Sequence, residues 1–190
     1  MDERFRDRMR RERTDVILRE TAGLASERGW VTLRVEDVAR RAGIAKGTIY
    51  LDFKDKDELI TAAIRRSMGE LLALMQAAAD GAEESDRLGA TLGVLTHLPV
   101  EHPDLAALLR CTHSEETGAH GALDEIEGFL TGVIQKAQRL GDVSSTVDPE
   151  FAAQSTLAAA SVPSWSRIAT RKGPDALLSQ LSFAPHTAHA

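Results

Sequence analysis

The residues best equipped for chemistry lie close together, in the run Lys46-Gly47-Thr48-Ile49-Tyr50-Leu51-Asp52-Phe53-Lys54-Asp55-Lys56. Three ammonium groups, a hydroxyl and a phenol surround the apolar Ile49 and Phe53, a mixture suited to phosphates and base edges in a nucleic-acid groove. Reaction chemistry is not expected. The chain has no glycine-rich phosphate loop, nucleophile elbow or His-Glu-x-x-His pair. Its carboxylates, among them Glu83, Glu84, Glu115, Glu116, Asp124, Glu125 and Glu127, fall in windows that read as solvated faces. No enzyme and no cofactor is therefore anticipated.

The elements that must position these groups are helical, since nearly every segment repeats apolar residues every three or four positions and none alternates with period two. The fold class is all-α. A first helix is expected over about Thr14 to Arg28, with Ile17, Thr21, Leu24 and Ala25 on one side and Gly29 at its end. A second should run from about Val35 to Ala42, turning inward Val35, Val38, Ala39 and Ala42, and a third over about Lys46 to Asp52. Two such short helices cannot bury enough area alone, so Val38, Ala42, Ile44, Ile49 and Phe53 must pack on the first. Ala39, Gly43 and Ile49 have the spacing of a small contact residue, a turn glycine and a core aliphatic in a helix-turn-helix. Lys46, Gly47, Thr48, Tyr50 and Lys54 are then left on the outer side of a rod about 10 to 12 Å wide, which matches a major groove of about 12 Å.

Asp55 can cap a fourth, long helix and Glu58 can reach back to the amide of the cap itself. That helix should continue to about Ala79 and connect two domains, 1–54 and 55–190. Further helices are expected around Arg87 to His97, stopping at Pro99; from Pro103; from Leu123 to Leu140, closed by Gly141; and from Asp148-Pro149, breaking near Pro163. A last one should start at Gly173-Pro174, ahead of a disordered tail.

The segment Gly29-Trp30 through Leu59 resembles the DNA-binding signature of TetR-family transcriptional regulators. Gly29, Trp30, Val35, Asp37-Val38-Ala39, Ala42-Gly43, Lys46-Gly47-Thr48-Ile49-Tyr50, Phe53, Lys56 and Leu59 fall in register together. The resemblance covers about Ile17 to Leu59, and it implies an all-helical homodimer whose C-terminal half houses a small-molecule pocket and the dimer interface. It also implies that Lys46, Gly47, Thr48 and Tyr50 approach bases and phosphates, that Lys56 meets a phosphate, and that repression is the mode of action. Arg34, Ala45, Leu51 and Lys54 complete the expected DNA-binding set. Ala45 departs from the family's usual hydroxyl residue and so removes a side-chain cap worth about 1 kcal/mol. Arg34 stands in for another hydroxyl and reaches a phosphate by charge. Asp52 would repel a phosphate unless it turns toward Lys54 or Lys56. Tyr50 has a second reading, as packing at the edge of the core, and Lys54 and Lys56 as solvated charge. Trp30 reads as a packing anchor.

A third helix of about eight residues is about 12 Å long at 1.5 Å per residue, enough for roughly three to four base pairs. At about 1 to 3 kcal/mol per base pair such a module barely reaches the 4 to 10 kcal/mol that separates specific from non-specific sites. Two copies on a palindromic operator are therefore expected. Phe151, Ser155, Ala158 and Ala159, with the Leu177, Leu178 and Leu181 stripe, are the candidate homodimer interface. For the small-molecule effector, the candidate pocket residues are Met75, Leu92, Leu95, His97 and Leu108, with Cys111, Phe129, Val133 and Trp165, all of which also read as ordinary core. Cys111, His113, Glu115 and His120 are capable of holding a metal, but they lack the spacing of a fixed ligand set and read as a polar surface loop.

Bulk properties fit this picture. The 190 residues are 43% hydrophobic, and no uninterrupted apolar run is long enough to span a membrane. The single cysteine and the charged, signal-free start suggest a reducing cytoplasm. Net charge is −6, yet residues 1–56 carry 14 Lys+Arg against 11 Asp+Glu, whereas the remainder carries 9 against 18. The first thirteen residues hold six arginines, either a solvated arm or a segment that reaches DNA.

Overall fold

A computed structural model describes residues 3–112 and 121–161. Eight α-helices occur among them: α1 (Glu3–Arg28), α2 (Val35–Arg41), α3 (Lys46–Ile49), α4 (Lys56–Gly81), α5 (Arg87–Glu101), α6 (Pro103–Thr112), α7 (Asp124–Leu140) and α8 (Pro149–Ala160). A single 3-10 turn, Glu84–Asp86, precedes α5, and no strand is found among the described residues. The all-α class is as expected.

α4 is the central strut, packing against α1, α5, α6 and α7, while α8 lies on α7. Its stripe of Leu59, Ile60, Ala63, Ile64, Met68, Leu71, Met75 and Ala79 is buried along its length, so the helix is held by apolar area on several sides rather than by intrinsic propensity. α1 touches both α4 and α6, and Ser26 Oγ sits 2.9 Å from Asp104 Oδ1 across the α1–α6 contact.

The small N-terminal unit builds itself from the glycine turn outward. Gly43 adopts φ 68°, and the chain closes α2 with Ile44 N donating to Ala39 O at 2.9 Å, the six-to-one bond that a left-handed residue after a helix permits. Val38, Ile49 and Phe53 are buried and Ile44 packs partly buried against them, whereas Ala42 is only half-buried. Trp30 is buried as an anchor between α1 and α2, and its indole N–H has no acceptor among the described residues.

Several boundaries differ from the sequence expectation, each for a local reason. α1 begins eleven residues earlier than Thr14, at Glu3; its charged first turns carry no apolar period, so helical continuation there escapes a reading based on apolar spacing. α3 has only four α-helical residues, and Tyr50, Leu51 and Asp52 form a turn, with Asp52 N and Phe53 N both donating to Ile49 O. Pro99 does not stop α5, which runs on to Glu101. Only the proline's own amide is missing, and His102 N picks up Leu98 O at 2.8 Å. Asp55 caps α4 through Glu58 N at 2.8 Å, but Glu58 reaches back one residue further than expected, to Lys54 N at 2.6 Å. α7 ends on Gly141 with φ 89° and α8 starts on an Asp148 cap with Pro149 behind it, both as anticipated. The Pro163 break, the helix from Gly173, the tail, and the His113, Glu115 and His120 loop lie outside the described residues, as does the Cys111 side chain.

Candidate nucleic-acid interface

α3 and its following turn present one continuous outer surface because Ile49 and Phe53 face inward and are buried. What remains outside is Ala45, Lys46, Gly47, Tyr50 and Leu51, all exposed, with Thr48 half-buried. Tyr50 is 44% and Leu51 70% exposed. Arg34 is exposed at the start of α2, Lys54 is exposed, and Lys56 is half-buried at the start of α4. Neither Arg34 nor Ala45 makes a side-chain cap.

Charge on this surface is tethered. Lys46 Nζ donates to Glu36 Oε1 on α2 and stands 5.8 Å from the Tyr50 ring centroid, an ammonium shared between a carboxylate and an aromatic face. The hydrogen bond to Lys46 lowers the Glu36 pKa from its ordinary value, and the same bond raises that of Lys46. Lys56 Nζ donates to Val31 O at 3.3 Å, drawing α4 toward the α1–α2 turn.

Asp52 corrects an expectation. It turns toward α1 rather than toward Lys54 or Lys56: Arg10 Nε donates to its Oδ1 at 2.9 Å, while Arg13 Nε and Nη2 donate to Oδ2 at 3.1 and 2.8 Å. Thr14 Oγ1 adds a long bond at 3.4 Å. Burial alone would raise the Asp52 pKa, but the hydrogen bonds from Arg13 and then Arg10 outweigh it and hold the carboxyl below its usual value. Glu36 was not singled out in the sequence, and Arg10 and Arg13 only as members of the arginine-rich start, because spacing along one helix carries no sign of which charge another helix will meet.

Residues 17–63 match the family model described as bacterial regulatory proteins, tetR family. That N-terminal segment is TetR-like. It is 29% identical over 134 residues to the HTH-type transcriptional repressor KstR of Mycobacterium tuberculosis, a match that covers 70% of this chain and 61% of that protein. A 51-residue stretch is 35% identical to the fatty acid metabolism regulator protein of Bacillus subtilis, covering 27% and 26% of the two. The chain thus spans about three-fifths of the KstR length. Among solved structures, the transcriptional regulator FadR from Bacillus subtilis in complex with stearoyl-CoA superposes with TM-score 0.72 at 19% identity, over 90% of this chain and 98% of that one. A Rhodococcus sp. regulator of the family does so with TM-score 0.68 at 25% identity, over 89% and 96%. The family is one of transcriptional regulators, in keeping with a chain in which no enzyme was anticipated.

The C-terminal half of the chain holds a cavity of about 320 Å³ between the end of α4, the start of α5 and α7. Of the anticipated pocket residues only Phe129 and Val133 line it; Leu88, Ala79 and Ala137 complete the apolar wall, and Glu84, Arg87 and Lys136 the polar edge. Lys136 Nζ bonds Glu84 at 2.6 Å, which lowers the Glu84 pKa. Met75, Leu92, Leu95 and Leu108 are fully buried and lie away from that wall, and His97 is exposed, its Nδ1 2.8 Å from Gly93 O. Trp165 and the Cys111 side chain lie outside the described residues. Gly128 and Gly132, four apart on α7, also line it, and an added Cβ at either would meet nothing within 4 Å. Gly69 and Gly93 are equally open mid-helix glycines that do not line it, so glycine placement carried no signal for the cavity.

On the described part of α8, Phe151, Ser155 and Ala158 are exposed and Ala159 is half-buried. Leu177, Leu178 and Leu181 lie outside the described residues. No group of three or more potential metal ligands occurs among the described residues, and no described helix is long and apolar enough to cross a membrane.

Proposed function

We propose that this chain is a sequence-specific DNA-binding transcriptional regulator, a repressor that leaves a palindromic operator when a small molecule binds its C-terminal half. The observation that carries this reading is the outer face from Ala45 to Leu51, solvent-exposed apart from Thr48 and from Ile49, which braces it from behind. On that face Lys46, Gly47, Thr48, Tyr50 and Leu51 approach base edges, while Arg34, Lys54 and Lys56 hold phosphates. Residues 1–54 form the DNA-binding part and 55–190 the ligand-binding and dimerising part.

Because α3 is four helical residues and a turn, one copy reads still less sequence than an eight-residue helix would, which favours a homodimer. Phe151, 70% exposed, shares a four-and-three stripe with Ser155 and Ala158, an apolar and small-residue face suited to a two-fold partner together with Ala159; Leu177, Leu178 and Leu181 are, by their spacing in the sequence, the other candidate part of that interface. The cavity at Phe129 and Val133 lies at the low end of the about 300–1,000 Å³ usual for ligand sites. Its apolar wall suits an apolar ligand; Arg87 and Lys136 at the edge are paired with Asp80 and Glu84 and would exchange those partners for an anionic group on the ligand, a class that the solved relative in complex with stearoyl-CoA supports. Release requires the ligand to favour the conformation that does not bind operator, since equal affinity for both shifts nothing. α4, which lines the cavity at Ala79 and begins at Lys56, offers the mechanical route.

Selection of bound duplexes from random DNA, followed by binding measured against salt, tests the reading. A palindrome and a steep negative slope, flattened by Lys56→Ala, are expected. Binding with no sequence preference and a shallow slope would remove it.

A further inference from the structure

The arginine-rich start of the chain is not a loose arm: it is the first three turns of α1, and residues 4–12 are exposed all round. No apolar burial holds these turns. They are held by Asp52, whose side chain is only 4% exposed beneath Arg10 and Arg13. Arg6, Arg10, Arg13 and Ile17 follow one another at spacings of four, three and four, so they share a face of the helix. Ile17 is fully buried and Arg13 and Arg10 clamp Asp52. Arg6 falls one turn further on, about 6 Å past Arg10 at about 1.5 Å per residue. It is exposed and makes no hydrogen bond or ion pair among the described residues. Two guanidinium groups meet one carboxylate, so the clamp leaves net positive charge beside Tyr50 and Leu51, the open end of the recognition turn.

We propose that the N-terminal turns of α1 are a second duplex-contacting element, in which Arg6 meets a backbone phosphate and Asp52 is the positioning residue that aims it; this rests on the reading that the α3 face binds duplex DNA. The residue that would otherwise repel a phosphate is thereby turned into the anchor of a cationic strut. A phosphate contact fixes register without reading sequence, so its loss weakens selected and random duplexes alike.

The test is a salt titration of the full chain on a selected duplex, comparing Arg6→Ala with Arg8→Ala. Arg8 lies on the opposite face, near Glu12 and over the Phe5 ring, and so controls for charge alone. Arg6→Ala should flatten the slope of log K against log salt by about one per protomer, at about 0.9 per phosphate, while Arg8→Ala leaves it in place. In an Asp52→Asn background the flattening by Arg6→Ala should shrink. A wild-type chain that binds no duplex specifically takes down the underlying reading. A wild-type chain that binds, with Arg6→Ala unchanged or Arg6→Ala and Arg8→Ala flattened equally, overturns the second element alone. Undiminished flattening in the Asp52→Asn background removes Asp52 from its positioning role.

Discussion

The N-terminal three-helix unit and the helical half behind it are held together by different means. In the first, α2 and α3 have seven and four helical residues and bury Val35, Val38, Ala39 and Ile49. Their placement is completed by charge: Arg41 joins Glu20 and Glu27, Lys46 joins Glu36, and Asp52 joins Arg10 and Arg13. In the second, α4, α5 and α7 bury Met68, Leu71, Met75, Leu92, Leu95, Leu130 and Ile134 almost completely. Two of the ion pairs found there, Arg87 with Asp80 and Lys136 with Glu84, stand around the cavity's edge, and Arg66 on α4 joins Glu70 and, across to α1, Asp15. Helices that must keep their outer faces open for a partner have only one face to bury, so ion pairs finish their placement. Longer helices buried along their length have area to spare and tolerate a void.

Four experiments break or sharpen this contrast. The largest effect should come from Leu130→Ala, a fully buried position on α7: a loss of about 2–5 kcal/mol in chemical denaturation. A loss below that of any N-terminal ion pair would invert the comparison. Next, Asp52→Asn should cost about 1.5–3 kcal/mol near neutral pH, since charged hydrogen bonds are lost. The folded carboxyl titrates below its ordinary value, so its contribution is complete above the unfolded aspartate pKa of about 4 and is lost as pH falls through the lower folded one. Thermal melts of both proteins from pH 7 to pH 2 should therefore converge only below about pH 4.

Tyr50→Ala should lose about 1–3 kcal/mol more on a selected operator than on random DNA in a mobility-shift titration, as a base-proximal group would. Equal losses on both would place Tyr50 at the backbone. The smallest effect belongs to Glu36→Gln, which frees Lys46 from an exposed pair. A small gain in DNA affinity at low salt that fades as salt is raised, with stability unchanged, is expected from fluorescence anisotropy. Weaker binding would mean that Glu36 orients Lys46 rather than occupying it.

The all-helical class, the α2–α3 glycine turn, the α4 strut and the ends of α7 and α8 were legible because each rests on local rules. Gly43, Asp55, Gly141 and Asp148 act within a few residues of themselves. The candidate DNA face was legible too, since Ile49 and Phe53 name the inward side and leave the rest outward. Pocket residues were less so: Met75, Leu92 and Phe129 all keep helical spacing, and the first two proved to be core while the third lines the cavity.

What the amino-acid order alone determined is therefore which segments are helical, where most of them stop, and which side of each faces inward, since capping, glycine conformation and apolar period act over a turn or two of chain. Only the tertiary structure decided which charges meet. Asp52 finds Arg10 and Arg13 some forty residues away, and Glu84 finds Lys136 across the cavity edge. Such pairings depend on how whole helices are set against one another, and electrostatic attraction between side chains leaves no periodic mark on the sequence that carries them.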